Sequence, residues 1–285
     1  MNLDAYTLVF RPLPQIYPGP SGAELISGKH YSDWVVNDHC HICDEVGRWH
    51  LFGITHPLTT AKNIHEGELQ LFHAVADSPL GPYRDLGTVL PPSARLGELP
   101  EIHSPAIIRT NEAYYMIYGP HHFRMAKSDN LTDWETLGTV FEEIKQDARD
   151  PQILFYEGVY LLSYCMGNDV YYRTSTDLFT WSERILLLAL KPGISPESPF
   201  LCVRDGQFYL FVCLWDGKWD QQTVSQAYQG VTQVYKVPEL RQFYEADLIA
   251  EIAAHAPELL EYDGQYWLTS AEYPQRGVNI ARLTF

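Results

Sequence analysis

One short pattern occurs five times along this chain, and it constrains the fold more than any other feature. Each copy opens with a residue that can do chemistry, enters a strand, and reaches a turn nine residues later. An aromatic-rich second strand follows each turn. Repeats of about 45–60 residues built from short strands indicate a propeller or a solenoid. The five openings are Asp38-His39-Cys40-His41-Ile42, His103-Ser104-Pro105-Ala106-Ile107, Arg149-Asp150-Pro151-Gln152-Ile153, Glu197-Ser198-Pro199-Phe200-Leu201 and His255-Ala256-Pro257-Glu258-Leu259.

The repeats predict the number of blades and how the ring closes. Each repeat contains about four short strands, which is the content of one propeller blade. The last copy ends at residues 279–283, before a fourth strand, and residues 6–10 precede the first copy without another role in the pattern. We therefore predict an all-β, five-bladed β-propeller in which the N-terminal strand completes the last blade and removes an exposed sheet edge. Residues 1–285 are expected to form this single domain.

Composition and charge narrow the class of partner and the compartment. The net charge of −16 argues against a nucleic-acid partner, because phosphate binding needs a basic face. No run of 18 apolar residues indicates a membrane span, and the N-terminus lacks the basic and apolar regions of a signal peptide. The odd number of cysteines, five, favours free thiols in a reducing compartment. We expect a cytoplasmic protein with a small, lightly charged ligand.

The geometry of a blade predicts which face is active. The first strand of each blade lines the central channel, so the opening residues converge at one mouth of the channel. Second strands run antiparallel to the first and return to that mouth, so the loops that follow them should form the pocket wall. These loops contain His56, His121, His122, Asn168, Trp215, Asp216, Glu272 and Tyr273.

Three of the repeats bring a carboxylate to this mouth, namely Asp38, Asp150 and Glu197. Like charges that share a funnel raise at least one pKa, which leaves a protonated acid beside ionised neighbours. Glycoside cleavage needs this combination, because one carboxyl protonates the leaving oxygen and another attacks the anomeric carbon or activates water. A turn-capping role explains one acidic residue at a strand start, but not three in corresponding repeats.

Clustered carboxylates and histidines can also bind metals, and the segment from His39 to Cys43 has the residue types of a zinc site. It lacks a second ligand pair, and strand alternation sends Cys40 and His41 to opposite faces. The sequence therefore predicts no metal and no cofactor.

Three motifs together resemble the invertase and fructanase family, glycoside hydrolase family 32. Asn37-Asp38, Gly47 and Trp49-His50-Leu51-Phe52 are similar to that family's Asn-Asp-Pro-Asn-Gly … Gly-x-Tyr-His-Leu-Phe opening. Arg149-Asp150-Pro151 matches its Arg-Asp-Pro motif, and Glu197-Ser198-Pro199 resembles its Glu-Cys-Pro motif. The chain also resembles the sister family 43 of arabinofuranosidases, arabinanases and xylosidases, which has the same blade plan and carboxylate order.

The resemblance implies roles for the carboxylates. Family 32 implies retention, with Asp38 as nucleophile and Glu197 as general acid/base, whereas family 43 implies inversion with Asp38 as the base for water. Asp150 would stabilise the transition state with Arg149 beside it. The chain ends with the fifth blade, so the β-sandwich that usually follows a family 32 propeller is expected to be absent.

Six further residues complete the predicted substrate site. His103 and His255 open their blades at the mouth, where contacts with sugar hydroxyls are favoured over burial, or where one of them helps to hold a cation on the channel axis, as in some family 43 propellers. Trp34 could stack on a sugar ring or pack in the core. Asn37, His121 and Trp215 are assigned to substrate binding.

Three functions are compatible with these residues. We expect a glycosidase that cleaves furanoside linkages in small oligosaccharides, of the β-fructofuranosidase type or, alternatively, an inverting α-L-arabinofuranosidase or β-xylosidase. An inactive glycan-binding propeller is the rival of another class, although binding does not require three unpaired acids. Transglycosylation or phosphorolysis is the third possibility, and phosphorolysis is disfavoured because the mouth has no obvious basic cluster for phosphate beyond Arg149.

Overall fold

The computed structural model describes residues 1–22, 24–58, 67–89, 101–141, 147–215, 231–272 and 276–285, with the backbone alone at Trp215. These residues form a five-bladed β-propeller, as the repeats predict. No helix within these ranges has the length and apolar character that a membrane crossing requires.

Each of the first four blades is a four-stranded antiparallel sheet whose strands follow one another from the channel outward. Blade one contains β5 (Trp34–Cys43), β6 (Trp49–Pro57), β7 (Leu71–Ala76) and β8 (Arg84–Val89). Blade two contains β9 (His103–Arg109), β10 (Tyr114–Gly119), β11 (Phe123–Ser128) and β12 (Glu135–Phe141). Blade three contains β13 (Arg149–Tyr156), β14 (Val159–Met166), β15 (Asp169–Ser175) and β16 (Ile185–Ala189).

Blade four contains β17 (Ser195–Arg204), β18 (Gln207–Trp215), β19 (Val231–Val237) and β20 (Leu248–Ala253), with a short 3-10 turn at Glu245–Asp247 before its last strand. Blade five contains β21 (Leu259–Tyr262), β22 (Gln265–Ala271) and β23 (Val278–Thr284). A separate hairpin of β3 (Gln15–Ile16) and β4 (His30–Tyr31) precedes blade one.

The N-terminus closes the ring. Strands β1 (Asn2–Leu3) and β2 (Thr7–Phe10) both pair antiparallel with β23, and Phe10 lies opposite Val278. The Phe10 side chain is buried and stacks on Phe72 of blade one, with ring centroids 4.6 Å apart. The predicted closure by the N-terminal strand is therefore confirmed, and it covers the edge of β23 that would otherwise remain unpaired.

Apolar side chains fill each interface between neighbouring blades. The strands are rich in aromatic and β-branched residues, which pack well on a pleated surface. Five buried clusters result, one between each pair of adjacent blades, including the pair formed by blades five and one. This packing fixes the inner strands around the channel and thereby sets the geometry of the site.

Candidate active site

The inner strands of blades one to four each contain a one-residue bulge, and the same spacing occurs just before β21 in blade five. In blade three the register of β13 against β14 shifts between Arg149 and Gln152, so that Asp150 and Pro151 occupy the bulge. A bulge re-aims neighbouring side chains, and here it brings two consecutive residues of each strand to the same end of the channel. Four residues before proline take left-handed backbone conformations: Ser104 (φ 43°), Asp150 (φ 56°), Ser198 (φ 46°) and Ala256 (φ 49°).

The bulges define two rings of side chains around the channel axis. The bulge ring consists of Asp38, Ser104, Asp150, Ser198 and Ala256. The mouth ring, one residue earlier in each strand, consists of Asn37, His103, Arg149, Glu197 and His255. The pairing corrects the repeat alignment in blade one, because Asn37 rather than Asp38 is the counterpart of His103. Close approach of Phe72 and the Asp38 carbonyl requires glycine at Gly53, opposite this bulge.

Two serines join two carboxylates within the bulge ring. Ser104 Oγ lies 2.6 Å from Asp38 Oδ2 and 3.0 Å from Asp150 Oδ1. Ser198 Oγ donates to Asp38 Oδ1 at 2.6 Å, and the Ser198 N–H donates to Asp150 Oδ2 at 3.0 Å. Asp38 and Asp150 therefore come together as predicted from the sequence, and both are held in fixed orientations by neighbouring blades.

Burial dominates the electrostatics of these two carboxyls. It raises the pKa of Asp38, although hydrogen bonds from Ser104 and Ser198 act in the opposite direction. It also raises the pKa of Asp150, where the charge of Asp38 adds to the effect and Arg149 opposes it. A site with such carboxyls can hold a proton at a pH at which exposed aspartates are ionised.

Arg149 and Glu197 are neighbours in the mouth ring. Arg149 Nη2 donates to Ser195 Oγ and to the Pro196 carbonyl, while its Nε lies 3.9 Å from Asp150 Oδ2. Burial opposes the charge of Arg149, but Asp150 and Glu197 raise its pKa. Glu197 is half-buried at the start of blade four, one residue nearer the mouth than the bulge ring. The site thus combines a fixed cation with three carboxyls.

His103 is the mouth-ring residue of blade two and lies against a buried carboxylate. Its Nε2 lies 2.8 Å from Glu68 Oε2, and the Glu68 side chain is only 3% exposed. Glu68 raises the pKa of Asp38 and His103 lowers it, after the larger effect of burial. Glu68 belongs to the loop after the second strand of blade one, so a fourth carboxylate adjoins the site.

His255 supports a neighbour from a buried position. Its Nε2 lies 2.7 Å from Asn37 Oδ1, and its Nδ1 lies 3.4 Å from the Cys213 sulfur. Burial lowers the pKa of His255 to about 4, which makes the ring neutral near pH 7. The sequence assigned His255 to direct sugar contact, but both of its nitrogens have protein partners. The structure therefore corrects that assignment: His255 orients Asn37.

Of the two alternatives for Trp34, the structure shows packing in the core. Its side chain is 2% exposed, packs in a cluster with Tyr17 and Leu69, and donates Nε1–H to the Tyr31 carbonyl. The hairpin of β3 and β4 covers this side of β5, so the indole presents no face to a sugar.

The pocket wall is described in part. His121 follows Gly119-Pro120, has a left-handed φ of 66°, and donates its N–H to Ala148 at 2.7 Å. Its ring Nδ1 has no hydrogen-bond partner among the described residues. The predicted wall residues Asp216 and Tyr273, and the side chain of Trp215, lie outside the described residues.

The channel continues beyond the bulge ring as a cavity of about 330 Å³. At the seam between blades one and five it is lined by His39, His41 and Glu258, which with Thr269 and Tyr83 form the seam cluster. The His41 N–H donates to Glu258 Oε2 at 2.8 Å, and its ring Nδ1 lies 2.8 Å from the same oxygen.

The two histidines of the seam cluster belong to the segment from His39 to Cys43, which has the residue types of a zinc site. His39 Nε2 lies 2.8 Å from Thr269 Oγ1, so both histidines are engaged with blade five. Cys40 and Cys43 are free thiols. Within the described ranges, no group of three or more potential ligands is arranged to hold a metal ion.

Sequence reasoning missed Ser104, Ser198 and Glu68. The two serines had a usable signal, since each directly follows a mouth-ring residue and precedes proline, as Asp150 does. Glu68 lies outside the repeated segments and had none.

Comparison with known proteins places the chain in a family. The model for glycosyl hydrolases family 43 matches residues 100–279, well over half of the chain. The protein therefore belongs to glycosyl hydrolase family 43.

Individual relatives are more distant. A 1,2-beta-oligomannan phosphorylase from Thermoanaerobacter sp. (strain X514) is 28% identical over 131 residues, which are 40% of this chain. The match spans 43% of that relative's length, less than half.

Solved structures share the fold at low identity. The Cellvibrio cellulosa alpha-L-arabinanase complexed with arabinohexaose gives a TM-score of 0.67 at 15% identity, covering 89% of this chain and 93% of the arabinanase. A Bombyx mori GH32 beta-fructofuranosidase gives 0.61 at 16% identity, covering 87% of this chain and 59% of that enzyme. Propellers of both families suggested by the motifs are thus similar in fold.

Proposed function

We propose that this family 43 hydrolase cleaves furanoside-type linkages in short oligosaccharides. The observation that carries the proposal is the stacking of the two rings, with Asp38 and Asp150 in the bulge ring and Glu197 one residue nearer the mouth. A glycosidase needs a fixed base or nucleophile and a separate acid at the two sides of one glycosidic bond.

The roles follow from this arrangement. Asp38 removes a proton from water while the water oxygen bonds to the anomeric carbon, and Glu197 gives a proton to the departing oxygen. Asp150, with Arg149 beside it, binds the sugar hydroxyls by hydrogen bonds in the transition state. Membership of family 43 favours this inverting course, for which the two carboxyls should be about 6.5–9.5 Å apart.

The retaining course predicted from the family 32 motifs is the alternative. There Asp38 forms a covalent bond to the sugar, and the Asp38 and Glu197 carboxyls should be only about 5–5.5 Å apart. Both oxygens of Asp38 accept serine hydrogen bonds, which lower its basicity and its nucleophilicity together, so the carboxyl separation distinguishes the two courses.

Substrate contacts are assigned to the mouth ring and its wall. His103, Arg149 and Asn37 surround the mouth, and Asn37 is oriented by His255. His121 is half-buried at the wall and its ring Nδ1 is buried, so the rest of the imidazole is assigned to sugar contact. Neutral and cationic donors of this kind suit sugar hydroxyls.

Phosphorolysis is a second candidate because the Thermoanaerobacter relative is a phosphorylase. In phosphorolysis, phosphate replaces water as the attacking group, and a cation is needed to bind it. Arg149 is a cation beside Asp150. The acidic surroundings of Arg149 oppose phosphate binding, so hydrolysis is favoured.

A substrate panel tests the proposal. Aryl β-fructofuranoside, α-arabinofuranoside and β-xyloside, together with sucrose, arabino-oligosaccharides and β-1,2-mannobiose, are incubated with and without inorganic phosphate. We expect phosphate-independent release of a pentose or fructose, and NMR should detect the inverted anomer first. Turnover of the mannoside that requires phosphate would establish the second candidate, and binding without turnover of any glycoside would favour the inactive propeller.

A further inference from the structure

One hydroxyl that contacts two carboxyls restricts where a proton can lie. Ser104 Oγ is within hydrogen-bonding distance of Asp38 Oδ2 and Asp150 Oδ1. A hydroxyl has a single hydrogen and can donate it fully to one partner. If both carboxyls were ionised, the second contact would bring two sets of lone pairs together in a buried site. A second hydrogen on one of the carboxyls removes this repulsion.

The lengths of the contacts indicate which carboxyl is ionised. Asp38 receives two hydroxyls at 2.6 Å, from Ser104 and Ser198, and O–H···O⁻ bonds are typically about 2.5–2.7 Å long. Asp150 has the longer contact with Ser104, 3.0 Å, and accepts the Ser198 N–H at 3.0 Å. The shorter hydrogen bonds are those to Asp38, as expected if Asp38 is the ionised carboxyl of the two.

We propose that Asp150 is protonated in the resting enzyme and donates its hydrogen to Ser104 Oγ, which in turn donates to ionised Asp38. Ser198 supplies the second hydroxyl to Asp38 and holds the other oxygen of Asp150 with its N–H. Ser104 and Ser198 are thus positioning residues that keep one carboxyl as a base and its neighbour neutral. The catalytic consequence rests on the proposed function; the position of the proton does not.

The surrounding charges act in both directions on a retained proton: Glu68 favours a proton on the pair, and Arg149 opposes one on Asp150. Asp38 faces Glu68 and His103 as well as Asp150. Asp150 faces Arg149, whose guanidinium group also donates hydrogen bonds to Ser195 Oγ and to the Pro196 carbonyl. The pair also interacts electrostatically with Cys165, Cys213 and His255 on neighbouring strands.

Carboxyl NMR tests the proposal without any need for turnover. The enzyme is labelled with ¹³C at the aspartate carboxyl carbons, and the two signals are assigned with Asp38→Asn and Asp150→Asn. We expect Asp150 to be protonated and Asp38 ionised at pH 7, with two separate titration steps for the pair. Signals of two ionised carboxylates at pH 7 would overturn the proposal.

Ser104→Ala and Ser198→Ala form a matched pair. Ser104 stabilises the singly protonated pair against both gain and loss of a proton. Its removal should therefore decrease the apparent pKa of the upper titration step and increase that of the lower titration step, each by about one pH unit. Ser198 donates to Asp38 whether Asp150 is protonated or not, so its removal should raise the lower step alone. An upper step that does not move in Ser104→Ala would contradict the relay.

Folding and activity provide the controls. Ala256 adopts the same left-handed bulge conformation, with φ 49° against 43° for Ser104, so alanine fits this position. Circular dichroism of each variant verifies the fold. Both variants should shift the acidic limb of kcat/KM upward with the lower step. If the NMR shows the proton while Asp38→Asn keeps full activity, the proposed function fails and the proton relay stands.

Discussion

The bulge ring and the seam cluster line one channel, yet they handle buried ionisable groups in opposite ways. In the seam, burial lowers the pKa of His41 to about 3 and raises the pKa of Glu258 to about 8, so both side chains are neutral near pH 7. In the bulge ring, serine hydroxyls hold Asp38 in a form that can accept a proton, beside Asp150 and Arg149. A shifted pKa alone therefore does not mark a catalytic group.

The difference comes from the partners. His41 and Glu258 satisfy each other across the junction of blades one and five, which serves ring closure. Asp38 is oriented by hydroxyls from blades two and four, and Glu197 lies one residue nearer the mouth. The first arrangement stabilises the fold, and the second leaves charge where a substrate can reach it.

Replacing the base should produce the largest effect. In Asp38→Asn the amide cannot accept a proton from water, and we expect kcat/KM to fall on the order of 10³-fold. The seam variant Glu258→Gln is the matched control and should keep activity within about two-fold. Initial rates on the best panel substrate measure both, and equal losses in the two variants would abolish the distinction between the two regions.

The N-terminal strand that closes the ring between blades five and one should contribute strongly to the free energy of unfolding. Phe10→Ala removes a buried ring that stacks on Phe72, and we expect a loss of about 3–5 kcal/mol in the free energy of unfolding. Leu8 in the same strand is 43% exposed, so Leu8→Ala should change it by less than about 0.5 kcal/mol. Urea unfolding compares the two. Similar values would show that the N-terminal strand does not close the ring.

The pH dependence of stability should come in part from Glu258. Its pKa is raised in the folded protein, so its contribution is fully present below the ordinary value of 4.5 and is lost as the pH rises toward about 8. Glu258→Gln should therefore be more stable than the wild type at pH 8, on the order of 1–2 kcal/mol. Thermal or urea unfolding from pH 5 to pH 8 measures the difference.

The control for this prediction is the exposed neighbour Glu261, because Glu261→Gln should retain the wild-type pH dependence. A wild-type pH slope that persists in Glu258→Gln would show that another group causes it.

The smallest effect is expected at the pocket wall. His121→Ala removes a half-buried ring that is assigned to sugar contact, and KM should rise about five-fold with little change in kcat. Exposed His30→Ala, on the hairpin before blade one, should leave both constants unchanged. A fall in kcat without a change in KM would assign His121 to the chemistry instead of to binding.

The sequence predicted the fold because each blade is a local unit. Five repeats with a strand missing from the last one left residues 6–10 as the sole candidate to pair with β23, and β2 does so. Strand count and order depend on turns and periodicity, which neighbouring residues determine.

The site was predicted less completely because it depends on register. The bulge moves Asp38 out of alignment with His103, and a shift of one residue exchanges the two faces of a strand. The two serines were missed because their contacts with both carboxyls depend on the arrangement of three blades. Burial of Trp34 and His255 depends on contacts with Tyr17 and Cys213, which are remote in sequence.

The leaving-group dependence of Glu197→Gln tests the account most directly. If Glu197 protonates the departing oxygen, the variant should lose on the order of 10²–10³-fold in kcat/KM on the natural glycoside but less than about ten-fold on an aryl glycoside with an acidic phenol, which leaves without protonation. Equal losses on both substrates, or full activity on the natural glycoside, would contradict the assignment of Glu197 as the acid opposite Asp38.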